Sequence, residues 1–168
     1  MNSQKYFHAF KDFFIPKKIN RKIEININPV EVSQKLCDYK EFNYYFKNPK
    51  YYDDGFRLEG GNFFSQRIGG TLSVGNIYQT ENGIHILDIQ VSTITMYKIL
   101  NIVFILLVIV FLLIGIKIMQ FNTISISIII GLIQLLNNLN QNKKIDEADH
   151  LILGAIHQLF SFSEVRVI

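Results

Sequence analysis

Hydrophobic positions follow a period of two in one part of this chain and a helical period in others. Residues 22–28 alternate polar and apolar side chains, a pattern typical of a β-strand with one buried face. Asn28 and Pro29 come next, the residue types that helices prefer as N-cap and first helical residue. The pattern therefore predicts a strand and then a helix from Pro29 to about Tyr39.

Short apolar runs separated by tight turns occupy residues 56–95. The turn Asn82-Gly83 is the strongest short-range cue for a β-hairpin, whereas the pairs Gly60-Gly61 and Gly69-Gly70 lack the spacing of a phosphate-binding loop. The predicted strands are Phe56–Glu59, Phe63–Ile68, Thr71–Thr80 and Ile84–Thr95. Together with the first strand and one packed helix they predict an α+β domain over residues 23–97, built on a small antiparallel meander.

Tyrosines, lysines and acids alternate irregularly in residues 39–54. Aromatic rings between lysines could stack on the bases of single-stranded nucleic acid. The acids Asp38, Glu41, Asp53 and Asp54 would repel its phosphates, so no nucleic-acid partner is expected. We interpret the segment as a loop or short helix at the edge of the core.

The periodicity disappears between Ile99 and Leu136, where 28 of 38 residues are apolar and the only charge is Lys117. The 21 residues from Ile99 to Met119 would span about 30 Å as a helix, the thickness of a bilayer's hydrocarbon core. A helix in water needs a polar face, and this one has none. It is predicted to cross a membrane, with side chains facing lipid at Ile102, Phe104, Leu107, Phe111 and Ile116.

A second apolar segment, Phe121–Leu136, contains several hydroxyl and amide side chains. Extended to Leu139 it is long enough to cross, with Ile128 and Leu132 facing lipid, and the alternative is a re-entrant or interfacial segment. Small side chains allow helices to approach closely. A stripe of them is predicted to contact the first helix or a second copy of the chain: Thr123, Ser127 and Gly131.

So few residues separate the two apolar segments that they predict a transmembrane hairpin over residues 98–139. Lys98, Lys143 and Lys144 flank the hairpin, whereas its turn carries Lys117 alone. Because cytoplasmic loops are enriched in Lys and Arg, both termini are expected on the cytoplasmic side of an inner (plasma) membrane.

The net charge of +3 is concentrated at the N-terminus, because residues 1–22 carry six Lys or Arg against Asp12 and the remainder sums to −2. Aromatic residues of this arm recur at helical spacing before Pro16. It is predicted to be an interfacial helix on the bilayer, or a helix that packs its aromatics on the folded domain. Headgroup contacts are expected from Phe7, Phe10, Lys11, Phe14, Lys17 and Lys18.

The last segment, residues 140–168, begins with a polar stretch and then has an acidic first turn at Asp146–Asp149. Apolar residues recur at helical spacing from Leu151 to Phe160. This predicts an amphipathic helix that packs on the cytoplasmic domain or pairs with another copy.

Candidate catalytic chemistry is sparse. The single cysteine, Cys37, excludes an intramolecular disulfide and is interpreted as a buried thiol. Glu147 and His150 form half of a carboxylate-bridged metal motif whose second half is missing. We therefore expect no metal, no cofactor and no enzymatic activity, and an enzyme acting on lipid is the weakest alternative.

Several short motifs precede the predicted hairpin: Phe56-x-Leu58-x-Gly60, Phe64-x-x-Arg67, Gly75-x-Ile77 and Gly83-Ile84-His85-Ile86. With this order of elements the chain resembles small bacterial two-helix membrane proteins of uncharacterised function. The resemblance implies a membrane location and no reaction.

These patterns predict a membrane protein whose hairpin anchors a small cytoplasmic α+β domain. The domain would bind a protein, lipid or ligand partner, and the bilayer itself is the first partner expected. The alternative is an oligomeric, membrane-active pore or effector subunit, because the stripe of small residues would also suit contact between copies.

Overall fold

The computed structural model describes residues 16–61, 67–118, 121–161 and 163–168. The chain divides into two compact units. The helical unit includes Thr95–Asn142, together with Pro16 and Lys17. The sheet unit comprises Lys18–Ile94 and Lys143–Ile168.

The sheet unit contains an antiparallel sheet of six strands in the order β2-β3-β4-β5-β1-β6 among the residues just named. The strands are β1 (Ile19–Ile25), β2 (Phe46–Tyr52), β3 (Gly55–Gly60), β4 (Thr71–Gln79), β5 (His85–Thr93) and β6 (Val165–Val167). The helices within the described ranges are α1 (Pro29–Cys37), α2 (Lys40–Tyr45), α3 (Thr95–Lys117) and α4 (Phe121–Leu159). The prediction of an α+β fold with an antiparallel sheet is confirmed.

The first predicted strand and helix are both present, with small shifts at their ends. β1 begins three residues before the alternating pattern does, at Ile19, and buries Ile23 and Ile25. The Asn28 side chain accepts a hydrogen bond from the Val30 backbone N–H at 3.0 Å, so the predicted N-cap of α1 is confirmed.

The predicted meander corresponds to β3, β4 and β5, which pair consecutively. Gly83 in the Asn82-Gly83 turn has a φ of +79°, a left-handed conformation that favours glycine. The strand predicted at Phe63–Ile68 is wrong at its end, because Arg67 and Ile68 lie in a turn. The rest of it, residues 63–66, lies outside the described residues.

The tyrosine-rich segment contains the short helix α2 and then an unpredicted strand, β2. Pro49 has no N–H to donate to a ladder, which argues against a strand in the middle of a sheet. β2 is an edge strand, and its register with β3 shifts between Lys47 and Lys50. The edge position and the register shift both accommodate the proline. The strand was not predicted because a proline and an irregular alternation are not typical of a strand.

The second apolar segment and the predicted C-terminal helix are parts of one continuous 39-residue helix, α4. The polar residues 137–142 do not interrupt it, because they include neither Gly nor Pro. Within the sheet unit, α4 supplies the core with Ile145, Ala148, Ile152, Ala155 and Ile156, all at most 1% exposed. These residues pack with Val32 and Leu36 of α1 and the buried face of the sheet.

Candidate functional site

The apolar side chains of α3 are exposed around most of the helix. Of its 23 residues, only Tyr97, Asn101 and Gly115 are buried. The predicted lipid-facing residues of α3 are all exposed: Ile102, Phe104, Leu107, Phe111 and Ile116. A helix in the core of a soluble protein would instead bury most of its apolar side chains.

The first part of α4 has the same arrangement. Ile128 and Leu132, predicted to face lipid, are 53% and 55% exposed, whereas Ser127 is 0% and Gln134 is 6% exposed. Buried polar side chains beside exposed apolar ones are the reverse of the pattern in a water-soluble fold. Both α3 and α4 are long and apolar enough to cross a membrane, and only 11% and 17% of their apolar windows are buried.

Two polar pairs lie in the contact between α3 and α4. The Tyr97 hydroxyl donates to Asn138 Oδ1 at 3.0 Å, and the Gln134 amide donates to Asn101 Oδ1. All four residues are at most 7% exposed. An unpaired amide among apolar side chains costs free energy, so these bonds favour one alignment of the two helices.

The predicted stripe of small residues lies within the helical unit. Ser127 Oγ donates to the Thr123 carbonyl oxygen at 2.9 Å, the back-bonding usual for a hydroxyl in an apolar helix. A Cβ placed on Gly131 would lie 3.8 Å from Val108 Cγ1, which is ordinary packing distance. Contact of this stripe with a second copy stays a prediction.

The two helices approach closely at Gly115, a residue that the sequence patterns did not single out. A Cβ at this position would lie 2.9 Å from Ile124 Cγ1 and 3.1 Å from the Ile124 backbone N. Contacts along α3 and α4 run in opposite chain directions: Gly115 with Ile124, Val108 with Gly131, Asn101 with Gln134 and Tyr97 with Asn138.

Of the predicted headgroup contacts, Phe7, Phe10, Lys11 and Phe14 lie outside the described residues. Lys18 is exposed, and Lys17 is half-buried, with its backbone N–H donating to Asn142 Oδ1 at 2.8 Å. Contact of these lysines with lipid headgroups stays a prediction.

An ion pair connects α4 to β1 inside the sheet unit. Arg21 Nη2 lies 2.9 Å from Asp149 Oδ2, and the Asp149 side chain is 4% exposed. The hydrogen bond and the negative charge of Asp149 raise the pKa of the Arg21 guanidinium. Arg21 is one of the six basic residues of the N-terminal arm, and its guanidinium thus pairs with a buried carboxylate of the sheet unit.

Two side chains considered as candidates for chemistry, Cys37 and Glu147, are respectively buried and ion-paired. Burial, with a smaller contribution from Asp38, raises the pKa of the Cys37 thiol to about 12, so little nucleophilic thiolate forms at neutral pH. Glu147, half of the suspected metal motif, pairs with Arg67 at 2.9 Å. Across the described ranges, no group of three or more His, Cys, Asp or Glu side chains could hold a metal ion.

A basic cavity of about 210 Å³ lies on the face of the sheet opposite α1. It was not predicted, because three of its five lining residues belong to β2, the strand that the sequence pattern concealed. The lining side chains are Lys47, Lys50, Tyr52, Arg57 and Glu59.

Comparison with protein-family models, with curated proteins and with solved structures finds no match for this chain. Its function is therefore inferred from the geometry of its own residues.

Proposed function

We propose that this chain is an integral membrane protein in which α3 and the first part of α4 form a transmembrane hairpin. The hairpin anchors the sheet unit, which binds a partner without catalysing a reaction. The bilayer is the first partner that we propose. We also propose that it is an inner membrane, because the chain resembles small bacterial two-helix membrane proteins.

The observation that carries this proposal is the exposure of apolar side chains on α3. Ile102 is 58% and Leu113 61% exposed, and they belong to a helix that buries only three residues. Exposed apolar patches beyond a few hundred Å² are rare on soluble monomers and mark contact with lipid or protein. A bilayer covers every side of such a helix, which a single protein partner does not.

The lengths of the helices agree with a crossing. The 23 residues of α3 span about 35 Å, enough for a hydrocarbon core of about 30 Å. The 39 residues of α4 span roughly 58 Å, so α4 can cross and still supply its last turns to the sheet unit. The hydrogen bonds Tyr97–Asn138 and Asn101–Gln134 support opposite directions for the two helices, because the earlier residue of α3 pairs with the later residue of α4.

Both termini are proposed to be cytoplasmic. Lys98 lies before the apolar part of α3, and Lys143 lies after the apolar part of α4. Lys117 lies near the connection between the two helices. The excess of Lys outside the connection favours this orientation.

Two measurements test the anchor. After expression in a bacterial host, the full chain should stay in the membrane pellet during an alkaline carbonate wash and dissolve only with detergent. A fluorescent reporter fused after Ile168 should fluoresce, and an alkaline phosphatase fused there should be inactive. Release by the alkaline wash would refute the membrane proposal, and an active phosphatase would refute the orientation.

The alternative of an oligomeric pore depends on contact between copies of the helical unit. Gly131 of the stripe that motivated it already packs beside Val108 of α3, and Ser127 is buried within one chain, so both residues support the anchor rather than the pore. Mass measurement in mild detergent and ion flux through vesicles distinguish the two functions. A closed ring that conducts ions would overturn the anchor in favour of the pore.

A further inference from the structure

The basic cavity owes its charge to an irregularity in the edge strand. Lys47 pairs with Glu59 and Lys50 with Arg57, so three steps along β2 match two steps along β3. One extra residue in β2 is a β-bulge, and it reverses the alternation that would otherwise direct Lys47 and Lys50 to opposite faces. Because directly paired residues share a face, both lysines stand on the face of Arg57 and Glu59.

This face is opposite the core of the sheet unit. The neighbours of Arg57 along β3, Phe56 and Leu58, are at most 1% exposed and belong to the core. Arg57 and Glu59 point the other way and keep about half of their side-chain surface in solvent. Tyr52, paired with Gly55, is on the same outer face and adds a phenolic hydroxyl to the cavity.

Positive charge in the cavity exceeds negative charge. Arg57 Nη2 and Nε lie 2.7 and 3.0 Å from Glu59 Oε1, so the one carboxylate of the lining is occupied by the one guanidinium. Within the described part of the chain, neither Lys47 nor Lys50 has an ion-pair partner. Two lysines, an arginine and a tyrosine thus line one space together with a single, already paired carboxylate.

The neighbouring acids do not cancel this charge at the cavity. Asp38, Glu41, Asp53 and Asp54 argued against a phosphate-bearing partner when only their nearness in sequence was considered. None of them is among the residues that line the cavity, and Asp53 and Asp54 occupy the turn at the far end of β2. These acids are close to the lysines in sequence, but the fold keeps them out of the lining of the cavity.

We propose that this cavity, formed by Lys47, Lys50, Tyr52 and Arg57, binds a phosphate group. The proposal deepens the proposed function, because it names the ligand chemistry of the anchored sheet unit. Lysine ammonium groups and an arginine guanidinium are the donors that proteins place around phosphate oxygens. Glu59 Oε1 accepts hydrogen bonds from Nε and Nη2 of Arg57, and the N–H donors on Nη1 remain for a ligand.

The dimensions favour a single phosphate over an acidic peptide. A cavity of about 210 Å³ holds one compact anion with its first substituent. An extended acidic peptide would instead need a row of cationic residues along the strand. β2 offers Phe46 and Tyr51 on its other face and Pro49 between its lysines, so no such row exists along it.

The binding experiment uses the full chain in a neutral detergent, titrated with inorganic phosphate and with dihexanoyl phosphatidic acid. The triple variant Lys47→Gln/Lys50→Gln/Arg57→Gln should weaken both affinities at least tenfold. The single variant Lys50→Gln, which disturbs the fold least because the side chain is exposed, should weaken them at least threefold.

A matched control removes three positive charges elsewhere in the sheet unit. Lys22→Gln/Lys40→Gln/Arg166→Gln changes three exposed residues that do not line the cavity, and its affinities should stay within twofold of the natural chain. An equal loss in this control would show nonspecific charge attraction and would overturn the proposal. So would unchanged affinity in the triple variant, or hexaglutamate that binds more tightly than phosphate.

Two results support the site and identify the source of the phosphate. Phosphatidic acid that binds tenfold more tightly than inorganic phosphate indicates a lipid headgroup, whereas equal affinities indicate a soluble phosphate ester. Dihexanoyl phosphatidylcholine, whose headgroup is zwitterionic, provides the lipid control. Because the titration is done in detergent, a failed phosphate site and a failed membrane anchor are detected separately: the titration reports the first and the alkaline wash the second.

Discussion

Arg21 and Asp149 are 128 residues apart in the chain, yet they form an ion pair with an Nη2–Oδ2 distance of 2.9 Å. Arg21 Nε lies 3.3 Å from each carboxylate oxygen. The Asp149 side chain is 4% exposed and depends on this guanidinium for its charge partner. The pair connects β1 to α4 within the sheet unit.

Replacing Arg21 by Met should destabilise the sheet unit by about 1–3 kcal/mol, because the nearly buried Asp149 carboxylate would lose its partner. Urea unfolding of the full chain in detergent measures this change. Arg166→Met, which alters an exposed residue of β6, is the control and should have little effect. Equal losses in the two variants would show that the ion pair contributes nothing specific.

The buried Cys37 thiol should make stability fall at alkaline pH. Its pKa in the folded chain is about 12, against 9.0 for an ordinary thiol, because burial disfavours the thiolate. As the pH rises, the thiol therefore loses its proton at a lower pH in the unfolded chain than in the folded chain. The contribution is complete below about pH 9 and declines as the pH rises towards 12, by at most about 1.4 kcal/mol per pH unit.

Urea unfolding at several values between about pH 8 and pH 10.5 measures this slope. Cys37→Ala removes the thiol and should flatten the slope, although the cavity it leaves lowers stability at every pH. If the slope is the same with and without the thiol, the alkaline loss comes from other groups.

Gly115 should tolerate a methyl group worse than Gly131. A Cβ on Gly115 would lie 2.9 Å from Ile124 Cγ1, whereas one on Gly131 would meet nothing closer than 3.8 Å. Gly115→Ala should therefore separate α3 from α4 and destabilise the helical unit by about 1–3 kcal/mol. Gly131→Ala should be neutral or slightly stabilising, because alanine favours helix.

The comparison is made by thermal unfolding of both variants in the same detergent. A Gly131→Ala variant that loses as much stability as Gly115→Ala would contradict the helix contacts described.

The hydrogen bond between Gln134 and Asn101 should be worth about 0.6–2 kcal/mol in the apolar setting of the helical unit. Asn101→Leu leaves the Gln134 amide without its partner and should be destabilising. The double variant Asn101→Leu/Gln134→Leu removes both amides and should recover part of the loss. In a double-mutant cycle, strictly additive losses would mean that the two residues are not coupled.

Local patterns were sufficient where an element depends on its own residues. The alternation before Asn28 predicted β1, the cap predicted α1, and Asn82-Gly83 predicted a hairpin turn. Each of these signals acts over fewer than about ten residues, through backbone conformation or the burial of one face. The apolar segment that forms α3 was likewise predicted from its own composition, without knowledge of the residues it contacts.

Local patterns failed where distant partners decide the outcome. β2 contains Pro49 and does not alternate. It became a strand because β3 pairs with one of its edges, while no strand among the described residues pairs with the other. Residues 137–142 resemble the end of a helix in composition, yet α4 continues through them. The partner of Asn101 lies 33 residues away, and no spacing rule predicts it.

The sequence by itself determined the class of this protein: a polar chain with an antiparallel domain and two apolar segments of membrane length. Period and composition specify these properties, since they depend on each residue's own preference for water or apolar surroundings. Only the tertiary structure decided which charges meet. Pairing across strands and helices brought Arg21 to Asp149 and, through one bulge, Lys47 and Lys50 to the same face, because such contacts depend on register.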